Sequence, residues 1–342
     1  MDAATVPRGG RSIFERSPLA RLPDSVLRWG LTVLSSLILL LIVFFFIELA
    51  NQSSQAFSSF GIFGFTFRNE WNVSADIYGA LPLLVGTILT SVIALLIGVP
   101  VAIATALFIT ELCPRRIRTG VTILVELLAA VPSVVWGLWG ILFLAPKIFP
   151  AEKWFASTFS FIPFIGGGVV TIPNLFVTGL VLAIMILPIV SAISREVMAT
   201  VPADHKEAAL GLGATRWEMI RLSVLPYCRS GITGAAMLGL GRALGETIAV
   251  VLLCGNDPNL VKHLFTQTYS LAAVVANEFG EAQGLHRSAL FAAGLVLFVL
   301  TLFVNGAARL YVIRASRGTK IKKERAEDEG PAASGAAAAV GA

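Results

Sequence analysis

Residues 207–226 read EAALGLGATRWEMIRLSVLP. The stretch is polar, it lies in the longest basic loop of an otherwise apolar chain, and its punctuation is that of two short helices joined by a glycine turn. Pro202 and Asp204 suit the first turn of the first helix. A missing N–H is harmless there, and a carboxylate meets the positive end of the helix dipole. Gly211 and Gly213 end that helix, because glycine enters left-handed geometry without a Cβ clash. Thr215 and Glu218 read as a capping box opening the second helix, and Pro226 marks a change of chain direction. A polar helix-turn-helix hung between two hydrophobic runs is a lever for a soluble partner rather than a lipid-facing element.

Outward from the lever, the 342 residues are 56% hydrophobic and only 14% charged, against about a quarter charged in a globular domain. The deficit runs along the whole chain and predicts an all-α, polytopic membrane protein. Six stretches read as transmembrane helices: 26–49, 81–110, 120–145, 174–194, 230–254 and 288–308, each about long enough for a ~30 Å hydrocarbon core. The apolar core of the first, 31–47, is too long for a signal-peptide h-region, so that span is expected to be retained. Gly98 and Pro100 are expected to kink the second span, and Pro132 interrupts the third. The organisation that follows is a polar arm (1–25), a first span with a polar, aromatic-rich outer loop (26–79), a transmembrane core (80–313) with the lever at 202–226, and a basic, then Ala/Gly-rich tail (314–342) of disordered composition. The run FIPFIGGG at 161–168 is open to a re-entrant or an interfacial reading.

Of the 26 Lys and Arg residues, 20 fall in the arm, the short turn at 113–119, the lever loop and the tail, and only four in the three outer loops. That bias puts both termini and the lever in the cytoplasm. It also accounts for the net charge of +5, which is therefore topology and no nucleic-acid signal. Cys113, Cys228 and Cys254 are too few and scattered for a disulfide framework or a metal site, and His205, His263 and His286 lack ligand spacing.

Charges inside spans are the exceptions that carry information. Residues 239–247 read GLGRALGET, with Arg242 about 24 Å past Pro226 by helical rise. A charge at such depth costs ~3 kcal/mol on insertion scales and marks a functional site by default. In a continuous helix Arg242 and Glu246 stand one turn apart on one face and pair. Glycines at 239, 241 and 245 let a ligand or a second backbone approach. A guanidinium stays charged and grips an oxyanion through two parallel hydrogen bonds. A carboxylate beside it accepts a hydrogen bond from a protonated oxyanion and repels one without a proton, so it tolerates phosphate over sulfate. A buried ion pair that only fixes helix packing is the other reading of these two residues.

The lever resembles the EAA loop of ABC-importer membrane subunits, whose pattern is EAA, three residues, Gly, nine residues, Ile, any residue, Leu-Pro. Glu207, Ala208, Ala209, Gly213, Leu225 and Pro226 fall on it, while Ser223 stands where the pattern has Ile. The 239–247 stretch is similar to the signature helix of PstC-type permeases of phosphate importers, and ELLAAVPSVVWGLWG at 126–140 to another of that family's patterned regions. The resemblance covers residues 81–311. It implies a type I ABC importer permease fold with a cytosolic coupling helix, in a bacterial plasma membrane. It assigns phosphate passage to Arg242 and Glu246, with Glu126, Ser133 and Thr247 as further pathway candidates. Glu126 also fits a snorkelling or helix-packing role, and Thr247 a bond back to its own helix. The implied partners are a second permease of the PstA type, an ATPase dimer of the PstB type and an outer phosphate-binding protein of the PstS type. No cofactor is expected on this chain: it has no Walker A pattern, so ATP belongs to the partner and the chain is not itself an enzyme. A permease for sulfate or molybdate is the near alternative. A six-span serine protease would need a Ser and a His within spans, which the loop placement of the histidines disfavours. A secondary transporter is disfavoured because no paired set of broken helices is visible.

Overall fold

The computed structural model describes residues 22–166 and 168–310. The arm before Leu22, and the chain from 311 on with its basic stretch and tail, lie outside the described residues. Among the described residues every named element is helical, with two isolated β-bridges at Asn72–Ile77 and Gly255–Thr268. The chain divides after Asn51. The first unit is essentially one helix, α1 (Leu22–Gln52), whose apolar part runs 27 residues from Val26.

The second unit begins with two short helices, α2 (Ser54–Phe60) and α3 (Ile62–Phe67), where the sequence predicts only a loop. Then follow α4 (Leu81–Leu107), α5 (Arg115–Ala130), α6 (Ser133–Trp139), α7 (Ala145–Thr158) and α8 (Leu175–Ala199). The lever supplies α9 (Ala203–Gly211) and α10 (Arg216–Met219), and the chain continues through α11 (Leu225–Leu244), α12 (Ile248–Leu253), α13 (Leu271–Glu278) and α14 (Gly284–Leu310). Among the described residues five helices are long and apolar enough to cross a membrane: 26–52, 81–112, 133–158, 175–199 and 284–310. The stretch 230–254, read as one span, is instead the end of α11, a break, and α12.

Three π turns, at Phe108–Leu112, Gly140–Leu144 and Ile220–Val224, stand before prolines; the helix runs on through Pro146 and Pro226 but ends before Pro114, which caps α5. Each ends two residues before one: Pro114, Pro146 and Pro226. Proline lacks the N–H of the i→i−4 ladder and its ring collides with that carbonyl, so the preceding turn widens by one residue. Pro226 therefore does not mark the change of chain direction that the sequence led us to expect. Helical backbone runs through it from Arg216 to Leu244.

The centre of the unit is α8, packed along α4 on one side and α11 on another. Membrane helices gain little from the hydrophobic effect against each other and associate by close van der Waals contact, which favours small residues at crossings. Gly98 illustrates this: a Cβ there would stand 2.9 Å from the Ala183 carbonyl oxygen and from Ile186. At the end of the bundle away from α9, Trp71 Nε1 donates to Glu278 Oε2 at 3.1 Å, and His286 Nε2 shares that oxygen at 2.9 Å. Tyr78 stacks on the His286 ring at 5.5 Å and donates to Asp76. Burial, then the Asp76 bond, push the Tyr78 hydroxyl up to about 12. Residues 161–166 of the FIPFIGGG run form turns rather than a re-entrant helix, tied to the 254–270 loop by the Leu264 amide donating to the Phe164 carbonyl.

Candidate functional site

The lever folds as its punctuation dictates. Pro202 is the N-cap residue of α9 with Asp204 in the first turn. Gly211 stays inside the helix, and Gly213, at φ +87°, makes the left-handed turn that stops it. Thr215 and Glu218 close a capping box. The Glu218 amide donates to Thr215 Oγ1 at 3.3 Å and the Thr215 amide to Glu218 Oε2 at 2.8 Å. The Thr215 amide bond to the carboxylate, and after it the bond that Thr215 Oγ1 donates to the same oxygen at 2.8 Å, lower the Glu218 pKa. Glu207 and Ala208 are exposed, and Ala209 is half-buried against the apolar cluster below α9. Leu212 is 90%, Leu222 69% and Trp217 63% exposed, large apolar side chains set among the polar residues of the lever. Ser223, the departure from the EAA pattern, donates from Oγ to the His205 carbonyl at 3.2 Å and so fastens α9 to the π turn.

The charged stretch of the fifth span is built differently from expectation. α11 stops at Leu244, Gly245 caps it, and α12 starts only at Ile248. Arg242 and Glu246 therefore do not lie on one continuous helix and form no ion pair. Arg242 is exposed in the last turn of α11, and among the described residues it has no hydrogen-bonding or ion-pair partner. What faces its charge instead is the helix C-terminus, with roughly half a negative charge on its free carbonyls. Glu246 is half-buried in the break, ahead of the first turn of α12, where a carboxylate is favoured. Thr247 Oγ1 bonds back to the Gly245 carbonyl at 3.3 Å.

A second break lies beside the first. α5 ends at Ala130 and α6 begins at Ser133, with Val131 and Pro132 extended between them. α6 and α12 pack together: a Cβ on Gly137 would meet Ala249 Cα at 3.2 Å and Leu252 Cδ1 at 2.7 Å, and one on Gly140 would meet Leu253. Counting back at 1.5 Å per residue brings Ser133 and Glu246 to a common level within about a turn. The structure thus holds two broken helices whose second halves pack together, a pairing that was not visible in sequence. Glu126 lies outside this level. Its Oε1 takes Arg195 Nη2 at 2.7 Å, linking α5 to α8.

Comparison with known proteins decides the class. Residues 98–317 match the family described as binding-protein-dependent transport system inner membrane component. The chain is 44% identical over 275 residues to the phosphate transport system permease protein PstC of Pasteurella multocida, covering 79% of this chain and 85% of that one. It is 42% identical over 303 residues to the PstC of Mesorhizobium japonicum, covering 87% and 92%. This chain belongs to that family of importer permeases. It is a multi-pass membrane subunit that does not itself hydrolyse ATP. The permease fold is seen in the crystal structure of a bacterial alginate ABC transporter bound to its periplasmic protein, with a TM-score of 0.57 at 21% identity, covering 84% of this chain and 96% of that one.

For this permease, sequence reasoning named Arg242, Glu246 and Thr247, which lie at the break between α11 and α12, Ser133, which opens α6, and the lever residues Glu207, Ala208, Ala209 and Gly213, which lie in α9 and the turn after it. Leu225 and Pro226 close the π turn beneath the lever rather than reversing the chain. It missed Arg195, assigned to the loop because α8 was expected to end at 194 but runs to Ala199. It also missed Leu212 and Trp217, whose signal was an apolar side chain in a polar loop. Arg115, Arg116 and Arg118, expected in a turn, begin α5, and Arg118 Nη2 donates to the Thr110 carbonyl at 2.8 Å. Among the described residues no cluster of three metal-ligating side chains occurs, and all three cysteines are free.

Proposed function

We propose that this permease forms the membrane pathway of an ATP-driven inorganic phosphate importer. The observation that carries the reading is Arg242: a permanently charged guanidinium with no partner among the described residues, in the last turn before the break that follows α11, in a chain 44% identical to a curated PstC protein. Its five donors suit two oxygens of one tetrahedral anion. Glu246 accepts a hydrogen bond from a P–OH, which sulfate does not have, so it filters on protonation. Ser133 adds a hydroxyl at the same level. Glu126, already engaged by Arg195, positions α5 against α8.

The positive-inside bias supports a bacterial plasma membrane location with both termini and α9 in the cytoplasm. There the exposed surface of Glu207, Ala208, Leu212 and Trp217 docks an ATPase dimer of the PstB type, which binds the ATP. A PstA-type permease completes the pathway and a PstS-type binding protein delivers phosphate from outside. Changing Arg242 to Gln tests the reading in the assembled complex in vesicles. Phosphate uptake is expected to be lost while the subunits still co-purify. Uptake at the unmodified rate would refute the pathway.

A further inference from the structure

Motion of α9 reaches the bundle covalently by two routes, through residues 200–202 into α8 and through α10 into α11. The structure contains a third contact that chain order does not reveal. Lys206 Nζ lies 2.6 Å from Glu111 Oε1, across 95 residues of sequence. Glu111 belongs to the π turn that closes α4. The pair is mostly sheltered, with side chains 24% and 10% exposed. Around it Ala106 of α4, Met198 of α8, and Met219, Ile220 and Cys228 of the helix through Pro226 form one buried apolar cluster. One residue before Lys206, the His205 carbonyl takes the hydrogen bond from Ser223, which sits in the π turn ahead of Pro226. Adjacent residues of α9 are thus tied by polar contacts to the π turns of two different helices. Such a turn carries a surplus residue and a strained ladder, so it is where a helix bends most readily.

We propose that Lys206–Glu111 is a positioning contact that passes displacement of α9 directly into α4, so that the second span moves with the fourth and fifth. The inference rests on the reading of α9 as the ATPase-docking helix. A short, charge-assisted bond between sheltered groups is directional and resists separation. Losing one partner leaves the other charged and unsatisfied, whereas exchanging both restores the match.

The test uses the complete complex with its ATPase and binding protein in vesicles, and reads phosphate moved per ATP hydrolysed. Lys206→Met and Glu111→Gln are each expected to lower this ratio roughly tenfold, the factor one charge-assisted hydrogen bond represents. Lys206→Arg is expected to keep it, and Lys206→Glu combined with Glu111→Lys to regain most of it. A normal ratio in the single variants overturns the proposal. So does a charge-reversed pair as defective as either single, which would set Lys206 against the ATPase instead. Where a single variant fails to assemble, Lys206→Arg and the reversed pair still decide. An insertion at Gly213 separates the two readings: if it uncouples while the Lys206 variants do not, only this inference falls, and if it couples normally, the docking role of α9 falls.

Discussion

At the scale of single residues, the balance at Arg242 is set by the backbone rather than by a neighbouring carboxylate. A glycine after Leu244 ends the helix, and the free carbonyls there offset part of the guanidinium charge. Glu246 is thereby left with no ion pair to Arg242 and available to a passing solute. Changing it to Gln removes the charge while keeping the shape, and is expected to let sulfate compete with phosphate for uptake. Competition measured with labelled phosphate checks this, and unchanged selectivity and rate would remove Glu246 from the filter. Both residues were legible in the sequence, because a charge in an apolar run stands out. Their separation was not. The i, i+4 rule assumes an unbroken helix, and Gly245 alone does not announce a break among so many other glycines. Arg195 was hidden for the opposite reason: a charge at a span boundary reads as loop.

At the scale of elements, helix existence was legible from composition and the lever from its caps, down to the Thr215–Glu218 box. The π turns were not, since a search for a 3.6-residue period treats proline as a stop. The structure shows helical backbone continuing through Pro146 and Pro226, each with a widened turn before it. The contact between α4 and α8 offers a direct check on how tightly the elements are held. Gly98→Ala would place a methyl 2.9 Å from the Ala183 carbonyl, and backbone cannot move aside as a side-chain tip can. Overpacking of this kind costs ~1–3 kcal/mol. The detergent-solubilised subunit is therefore expected to unfold at lower temperature, and an unshifted melting curve would show that the two helices separate freely.

At the scale of the whole molecule, the end of the bundle opposite α9 is held by contacts between distant parts of the second unit. Trp71 and Tyr78 meet Glu278 and His286 there. The buried phenol has its pKa raised from 10.0 to about 12, so its contribution is complete below pH 10 and is withdrawn as the pH climbs through that window. Proteolysis of the 53–80 segment is expected to accelerate between pH 10 and 12. In Tyr78→Phe that step should be absent, and its persistence would assign the alkaline loosening elsewhere. None of this closure was legible beforehand, because it joins residues some 200 positions apart. The prolines after the three widened turns carry one more implication. At Pro146 and Pro226 the imide nitrogen has no hydrogen to give the ladder, so the missing bond is fixed by covalent chemistry and the widened turn before it stays the readiest place for the helix to flex. That gap is written into the sequence whatever the solvent, and an alternating carrier of this build rocks its stiff segments about joints whose places are set in advance.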